Sequence, residues 1–194
     1  MPQPNIIVLH VACGYEARAR HIESMMQRHG LEFEYMLRGD IPQVTPQVLD
    51  EYFCDSFGGA NAYTSCSYKH LLACERIVAQ NWSGAVIMED DAVLFTRFGT
   101  LLPEALRQLD TACPGPAILS LEDTRLRFVP HSRRRKGQLV YPGDRDRLAG
   151  CYYINRAGAQ AVLDFARSHK LDQPIDTFHR LMLDSGLLNY WWMR

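Results

Sequence analysis

The sequence predicts an α/β protein with a mostly parallel central sheet flanked by helices, and three observations predict it. The chain opens on a β-branched run, Ile6-Ile7-Val8, continues into a helix that reaches Met26 and His29 before a Gly30 stop, and returns to a strand at Phe33-Glu34-Tyr35-Met36-Leu37. Strand, helix, strand in that order favours parallel pairing, with a binding crevice at the strand carboxyl ends. Further short apolar runs then alternate with segments of helical periodicity. Finally, the run Ala85-Val86-Ile87-Met88 meets three consecutive carboxylates, Glu89-Asp90-Asp91, so a buried strand ends in concentrated negative charge.

The remaining elements follow in order. Residues 40–62 are punctuated by Pro42, Pro46 and Gly58-Gly59 and read as loop, with a short helix over 48–53. A clear helix over 64–80 carries His70, Cys74 and Ile77 at i, i+4, i+7, with Ser65 or Ser67 as its cap. After the acidic strand come a helix over 99–109 and a strand over 117–121 that ends in Glu122-Asp123. The stretch 125–147 is basic and irregular, with strand candidates at 126–129 and 138–141. Cys151-Tyr152-Tyr153-Ile154 resumes a strand, and Asn155 caps a helix whose apolar face is Ala161, Val162, Phe165 and His169. Pro174-Ile175-Asp176 begins a last helix, and 188–192 is a terminal strand with Tyr190, Trp191 and Trp192 in packing positions.

The length, 194 residues, suits a single domain with a substantial core, and 47% hydrophobic residues make it globular. A formal net charge of −1 gives no general pull toward nucleic acid or anionic membrane, and the local cluster Arg133-Arg134-Arg135-Lys136 reads as a solvated loop or a contact for a phosphorylated acceptor or anionic headgroups. The six cysteines form no CxxC pair and no tight Cys/His spacing, which argues against structural zinc and for reduced thiols in a cytosol. The first residues lack a charged region followed by an apolar one, and no stretch approaches the roughly 20 apolar residues of a membrane span, so the expectation is a cytoplasmic chain with at most peripheral membrane contact at the inner face.

The acidic triplet carries the chemistry. Two unit charges about 4 Å apart repel by roughly 4 kcal/mol at an effective dielectric near 20, so the cluster must share protons, splay into water or bind a cation. Oxygen-only ligands of this kind suit Mg²⁺ or Mn²⁺. Residues two apart on a strand point the same way, so Glu89 and Asp91 can face one ion while Asp90 faces away or takes a ribose.

Four segments in order resemble glycosyltransferase family 25, the lipopolysaccharide/lipooligosaccharide glycosyltransferases related to collagen galactosyltransferase domains. These are Ile6-Ile7-Val8-Leu9 with Arg18-Ala19-Arg20-His21-Ile22-Glu23; Ser65-Cys66-Ser67-Tyr68-Lys69-His70; Met88-Glu89-Asp90-Asp91; and Tyr152-Tyr153-Ile154-Asn155-Arg156-Ala157-Gly158-Ala159 followed by Pro174-Ile175-Asp176. Lys69 stands where the family usually has Ser, and family domains continue beyond the point where this sequence ends, which suggests a single domain over 1–194 shortened at its C-terminus. The resemblance implies a GT-A-like nucleotide-diphospho-sugar transferase fold and a metal-dependent transfer of a hexose, galactose or glucose, from a UDP-sugar to a glycan acceptor hydroxyl with inversion. It implies Glu89 and Asp91 as metal ligands for Mn²⁺ or Mg²⁺, and His70, Ser67, Asp90, Arg18 and Asp40 as donor-binding residues. Asp176 is the implied catalytic base, with Asp123 behind it.

Bland readings stand beside these roles. Asp176 is equally an N-cap, while a lone His on a helix flank is more often a hydrogen-bonded core residue than a catalyst, which is the bland reading of His70, and Arg18 reads as a solvated helix residue before a diphosphate contact. Two other functions remain open: a non-catalytic family-25-like sugar-nucleotide-binding or partner module, and a metal-dependent phosphohydrolase. The latter lacks a nucleophilic Asp after the first strand, where His10-Val11-Ala12-Cys13 stands.

Overall fold

A computed structural model describes residues 3–123 and 127–194. It is an α/β protein built on one seven-stranded mixed sheet in the order β2-β1-β3-β6-β4-β7-β5. The strands are β1 (Asn5–Leu9), β2 (Glu34–Met36), β3 (Gly84–Glu89), β4 (Ala117–Ser120), β5 (Val140–Pro142), β6 (Cys151–Asn155) and β7 (Asn189–Met193). The helices are α1 (Glu16–His29), α2 (Pro46–Tyr52), α3 (Ala62–Ala79), α4 (Phe98–Ala112), α5 (Arg156–His169) and α6 (Ile175–Asp184).

Strand alternation divides the core into two layers. Ile7, Leu9, Ile87 and Ile154 pack on one face under α3, α5 and α6, through Leu71, Ile77, Val162 and Phe178. Ile6, Val8, Val86 and Met88 pack on the other under α1 and α4, through Met25, Met26, Leu102 and Leu106. Apolar side chains on both faces explain why these strands read as unbroken hydrophobic runs.

Strands β1, β2 and β3 are mutually parallel, as the βαβ opening predicts, and β4 pairs parallel with β7. Between the two groups runs β6, antiparallel to both β3 and β4. A parallel return needs a crossover, usually a helix. Between β4 and β6 the chain forms β5 antiparallel to β7 and comes back to the carboxyl end of β4, where the Leu121 amide donates to the Cys151 carbonyl at 3.1 Å, so β6 runs back the opposite way.

Several local expectations are corrected. Helix α3 starts at Ala62, and Asn61 caps it by accepting from the Tyr63 and Thr64 amides, while Ser65 and Ser67 lie inside the helix. Pro174, not Asp176, holds the cap position of α6, and Asp176 sits in its first turn. Residues 127–129 form no strand, residue 126 lies outside the described residues, and the later candidate forms as Val140–Pro142. Tyr190 and Trp192 are buried, as packing residues should be. Arg133, Arg134 and Arg135 donate to carbonyls of Pro142, Val129 and Ser132, closing their own exposed loop.

Asn155 fastens β6 to β4 and starts α5. Its Oδ1 accepts from the Gly158 amide at 2.8 Å and the Ala117 amide at 3.0 Å, and its Nδ2 donates to the Gly115 carbonyl at 2.8 Å. Loss of the cap and of a partner for a half-buried amide gives Asn155→Ala an expected destabilisation of about 2–3 kcal/mol, measured by urea unfolding as a lower midpoint with unchanged slope.

Candidate functional site

The carboxyl ends of β1 and β3 lie side by side, with Leu9 opposite Glu89, and the acidic triplet begins there. Its three carboxylates splay in different directions, and because β3 ends at Glu89 and Asp91 lies in the turn beyond it, the strand alternation expected to align Glu89 with Asp91 does not hold. Buried Asp90 turns to the neighbouring strand and helix: Oδ2 meets His10 Nδ1 at 2.7 Å, and Oδ1 accepts from Arg18 Nη1 at 2.7 Å. Asp91, half-exposed in the turn beyond the strand, lies 3.2 Å from the same guanidinium. The Asp90 hydrogen bond raises the Arg18 pKa further. Glu89, the last strand residue, faces α3, with Oε1 at 3.9 Å from Cys66 Sγ and 3.8 Å from His70 Nε2.

Two neighbouring clefts open at this edge. The larger, about 550 Å³, is lined by Arg18, Asp40, Ser65, Lys69 and Asp90 among others. The smaller, about 370 Å³, is lined by Ser67, Asp91, Glu122, Gly150 and Asp176 among others. Cys66 and Glu89 belong to both linings. A hollow of about 580 Å³ beside Asn81 and Arg156 lies away from the acidic strand end.

The floor of the larger cleft is organised by Lys69. Its buried ammonium donates to the carbonyls of His10 at 2.9 Å and Arg38 at 3.0 Å, so one cation closes the chain ends that leave β1 and β2. It also pairs with Asp40 Oδ1 at 2.7 Å, an ion pair outside hydrogen-bond alignment. Ser65 Oγ donates to the Gly39 carbonyl at 2.8 Å, pinning the same loop to α3. Because the helix starts at Ala62 and the Ser65 amide already donates to the Asn61 carbonyl, the amides at 65–67 are not at the helix end.

Beneath Cys66 and Glu89 lies a buried polar stack. His70 has no exposed surface, its Nδ1 meets the Tyr152 hydroxyl at 2.9 Å, and the rings stack at 5.7 Å. Its Nε2 makes no hydrogen bond. Burial pulls the His70 pKa down, but Cys66 and Glu89 beside it outweigh that and hold it up at about 9. The His70 charge in turn holds the Glu89 carboxyl below its usual range, against burial. His179 meets the Tyr152 ring edge-on at 5.4 Å. Burial, reinforced by the His70 charge, drives it down to about 3.

The structure therefore brings together most of the predicted site residues. Arg18, Asp40 and Asp90 line the larger cleft; Ser67, Asp91 and Asp176 line the smaller; Glu89 lines both. His70 lines neither and reaches them only behind Cys66 and Glu89. Asp123 also lines neither and lies 3.5 Å from the buried Arg147, while its neighbour Glu122 lines the smaller cleft. His10, Cys66, Lys69 and Glu122 carry no predicted role. The i, i+4 spacing of Cys66 and His70 puts both on one side of a helix and corrects the expectation of no tight Cys/His spacing. No family model matches the chain, and no curated protein matches it.

Lys69→Met removes the ammonium that donates to three carbonyls at the ends of β1 and β2, those of His10, Met36 and Arg38, with an expected loss of about 2–4 kcal/mol in urea unfolding and faster amide exchange from Gly39 to Val44. His179 binds its proton far more readily in the unfolded chain, near 6.5, than in the folded one, near 3, so its contribution is complete above pH 6.5 and is lost as pH falls toward 3. Denaturation across that range should show a slope that His179→Leu reduces by up to about 1.4 kcal/mol per pH unit.

Proposed function

We propose that this chain is a metal-dependent glycosyltransferase that moves a hexose, galactose or glucose, from a UDP-sugar to a hydroxyl of a glycan acceptor with inversion, as in lipopolysaccharide or lipooligosaccharide synthesis. The observation that carries the reading is the acidic end of β3, whose Glu89 forms part of both the larger and the smaller cleft. A transferase needs two substrates to meet at one point, and two clefts with a common wall supply that arrangement. A GT-A-like assignment of the α/β fold belongs to the same proposal.

In this reading the larger cleft takes the donor. Asp40 meets the uridine or ribose, and Arg18, with Tyr15 stacked beneath it at 5.3 Å, offers the diphosphate a positive edge. Asp90 is committed to His10 and Arg18 and acts by holding Arg18 in place. Ser67 stands on the acceptor side. Glu89 and Asp91 contribute hard carboxylate oxygens to the smaller cleft, a donor set that fits Mn²⁺ or Mg²⁺. Such an ion stabilises charge developing on the departing diphosphate.

Inversion requires a base on the acceptor side. Asp176 lines the smaller cleft in the first turn of α6, the place where a base would accept the proton of an acceptor hydroxyl. Asp123 is set aside because it lies off that lining and pairs with Arg147. The chain is proposed to act in the cytoplasm with at most peripheral membrane contact; among the described residues no helix is long and apolar enough to cross a membrane.

Calorimetric titration of UDP, UDP-galactose and UDP-glucose, with and without Mn²⁺, tests the donor site. The expected outcome is metal-dependent binding of at least one nucleotide that Asp91→Ala abolishes. Absence of nucleotide binding under every condition would replace the enzyme with a partner-binding module. In an acceptor assay, Asp176→Asn should lower turnover by about 10²–10⁴-fold while nucleotide binding is retained.

A further inference from the structure

Three donor atoms of different chemistry converge at the wall between the clefts. Cys66 Sγ, His70 Nε2 and Glu89 Oε1 all lie within 4.8 Å of one another, drawn from successive turns of α3 and from the end of β3. The His70 nitrogen is fully buried, aimed into this group and without a hydrogen bond. Leaving such a group without a hydrogen bond costs about 1–3 kcal/mol.

Cys66 Sγ donates a long hydrogen bond to Glu89 Oε1 at 3.9 Å, and His70 Nε2 lies 3.8 Å from the same oxygen, an ion pair beyond hydrogen-bond reach. Bond lengths of about 2.0–2.3 Å from Zn²⁺ to N, O and S give tetrahedral edges of about 3.3–3.6 Å, so shifts on the order of 1 Å or less in the partly exposed Cys66 and Glu89 side chains bring all three into coordination. His70 is held in position for this role. Its other ring nitrogen meets the Tyr152 hydroxyl at 2.9 Å, the kind of outer contact that fixes a metal-binding imidazole.

We propose that Cys66, His70 and Glu89 form a three-ligand site for a borderline transition-metal ion, Zn²⁺ foremost, with its fourth position open to the clefts that Cys66 and Glu89 line. The thiolate and imidazole select against Mg²⁺ and Mn²⁺, which prefer oxygen. As the Zn–S and Zn–N bonds form, the Cys66 thiol proton and the His70 Nε2 proton both pass to solvent. The site uses Glu89 in common with the proposed donor-site ion but does not depend on the glycosyltransferase reading.

The test uses the full chain, freed of metal by chelation under reducing conditions and titrated with Zn²⁺ alone. The expected result is saturable binding of one ion per chain that excess Mn²⁺ does not displace. With Co²⁺, a sulfur-to-metal charge-transfer band should appear and should be absent in Cys66→Ala. In the unsubstituted chain, Zn²⁺ should slow alkylation of Cys66, read by peptide mass spectrometry, while the exposed Cys13 keeps its rate. Tyr152→Phe should weaken Zn²⁺ about 10–100-fold. No saturable Zn²⁺ binding, an alkylation rate at Cys66 indifferent to Zn²⁺, or undiminished binding in a folded Cys66→Ala would overturn the proposal. Failure to bind UDP-sugars would leave each of these measurements unchanged, so the two readings fail separately.

Discussion

Three adjacent carboxylates at one strand end cannot share a direction, and much of the molecule is arranged around that repulsion. Asp90 turns inward to His10 and Arg18, Asp91 stays outside near the same guanidinium, and Glu89 turns to Cys66 and His70. Each choice recruits a different element. Asp90 ties β3 to β1 and to the first turns of α1, while Glu89 ties it to α3. The charge cluster thus acts as a hub that sets where the flanking helices stand at the carboxyl edge.

Lys69 complements this hub from the other side of β1. A buried ammonium is tolerable only with its donors used, and here carbonyls leaving β1 and β2 and the Asp40 carboxylate surround it. The crevice between the first strands is therefore closed by a fixed positive charge beneath an acidic rim. That pairing of opposite charges across one floor gives the larger cleft its polarity.

Local and periodic features were legible in the sequence because their causes are local. The αL stop at Gly30, the Asn155 cap and the buried run of β3 each follow from a few neighbouring residues. The direction of β6 was not legible, since Cys151-Tyr152-Tyr153-Ile154 has the same composition whichever way it pairs. Pairing direction depends on the path taken by the long segment before it. The depth of His70 was hidden for a similar reason: its helical face could be read, but Tyr152 and His179, which enclose it, come from β6 and α6. Cys66 and His70 showed no recognised metal spacing because the third donor, Glu89, arrives from another element.

Cys66 and Glu89 stand between two cavities and belong to each. Occupancy of the two sides is therefore linked thermodynamically through these side chains: a ligand that draws Glu89 toward one side changes the affinity of the other, and the reverse effect has the same magnitude. A single carboxylate rotation would make the order in which the cavities fill a property of the wall rather than of either ligand.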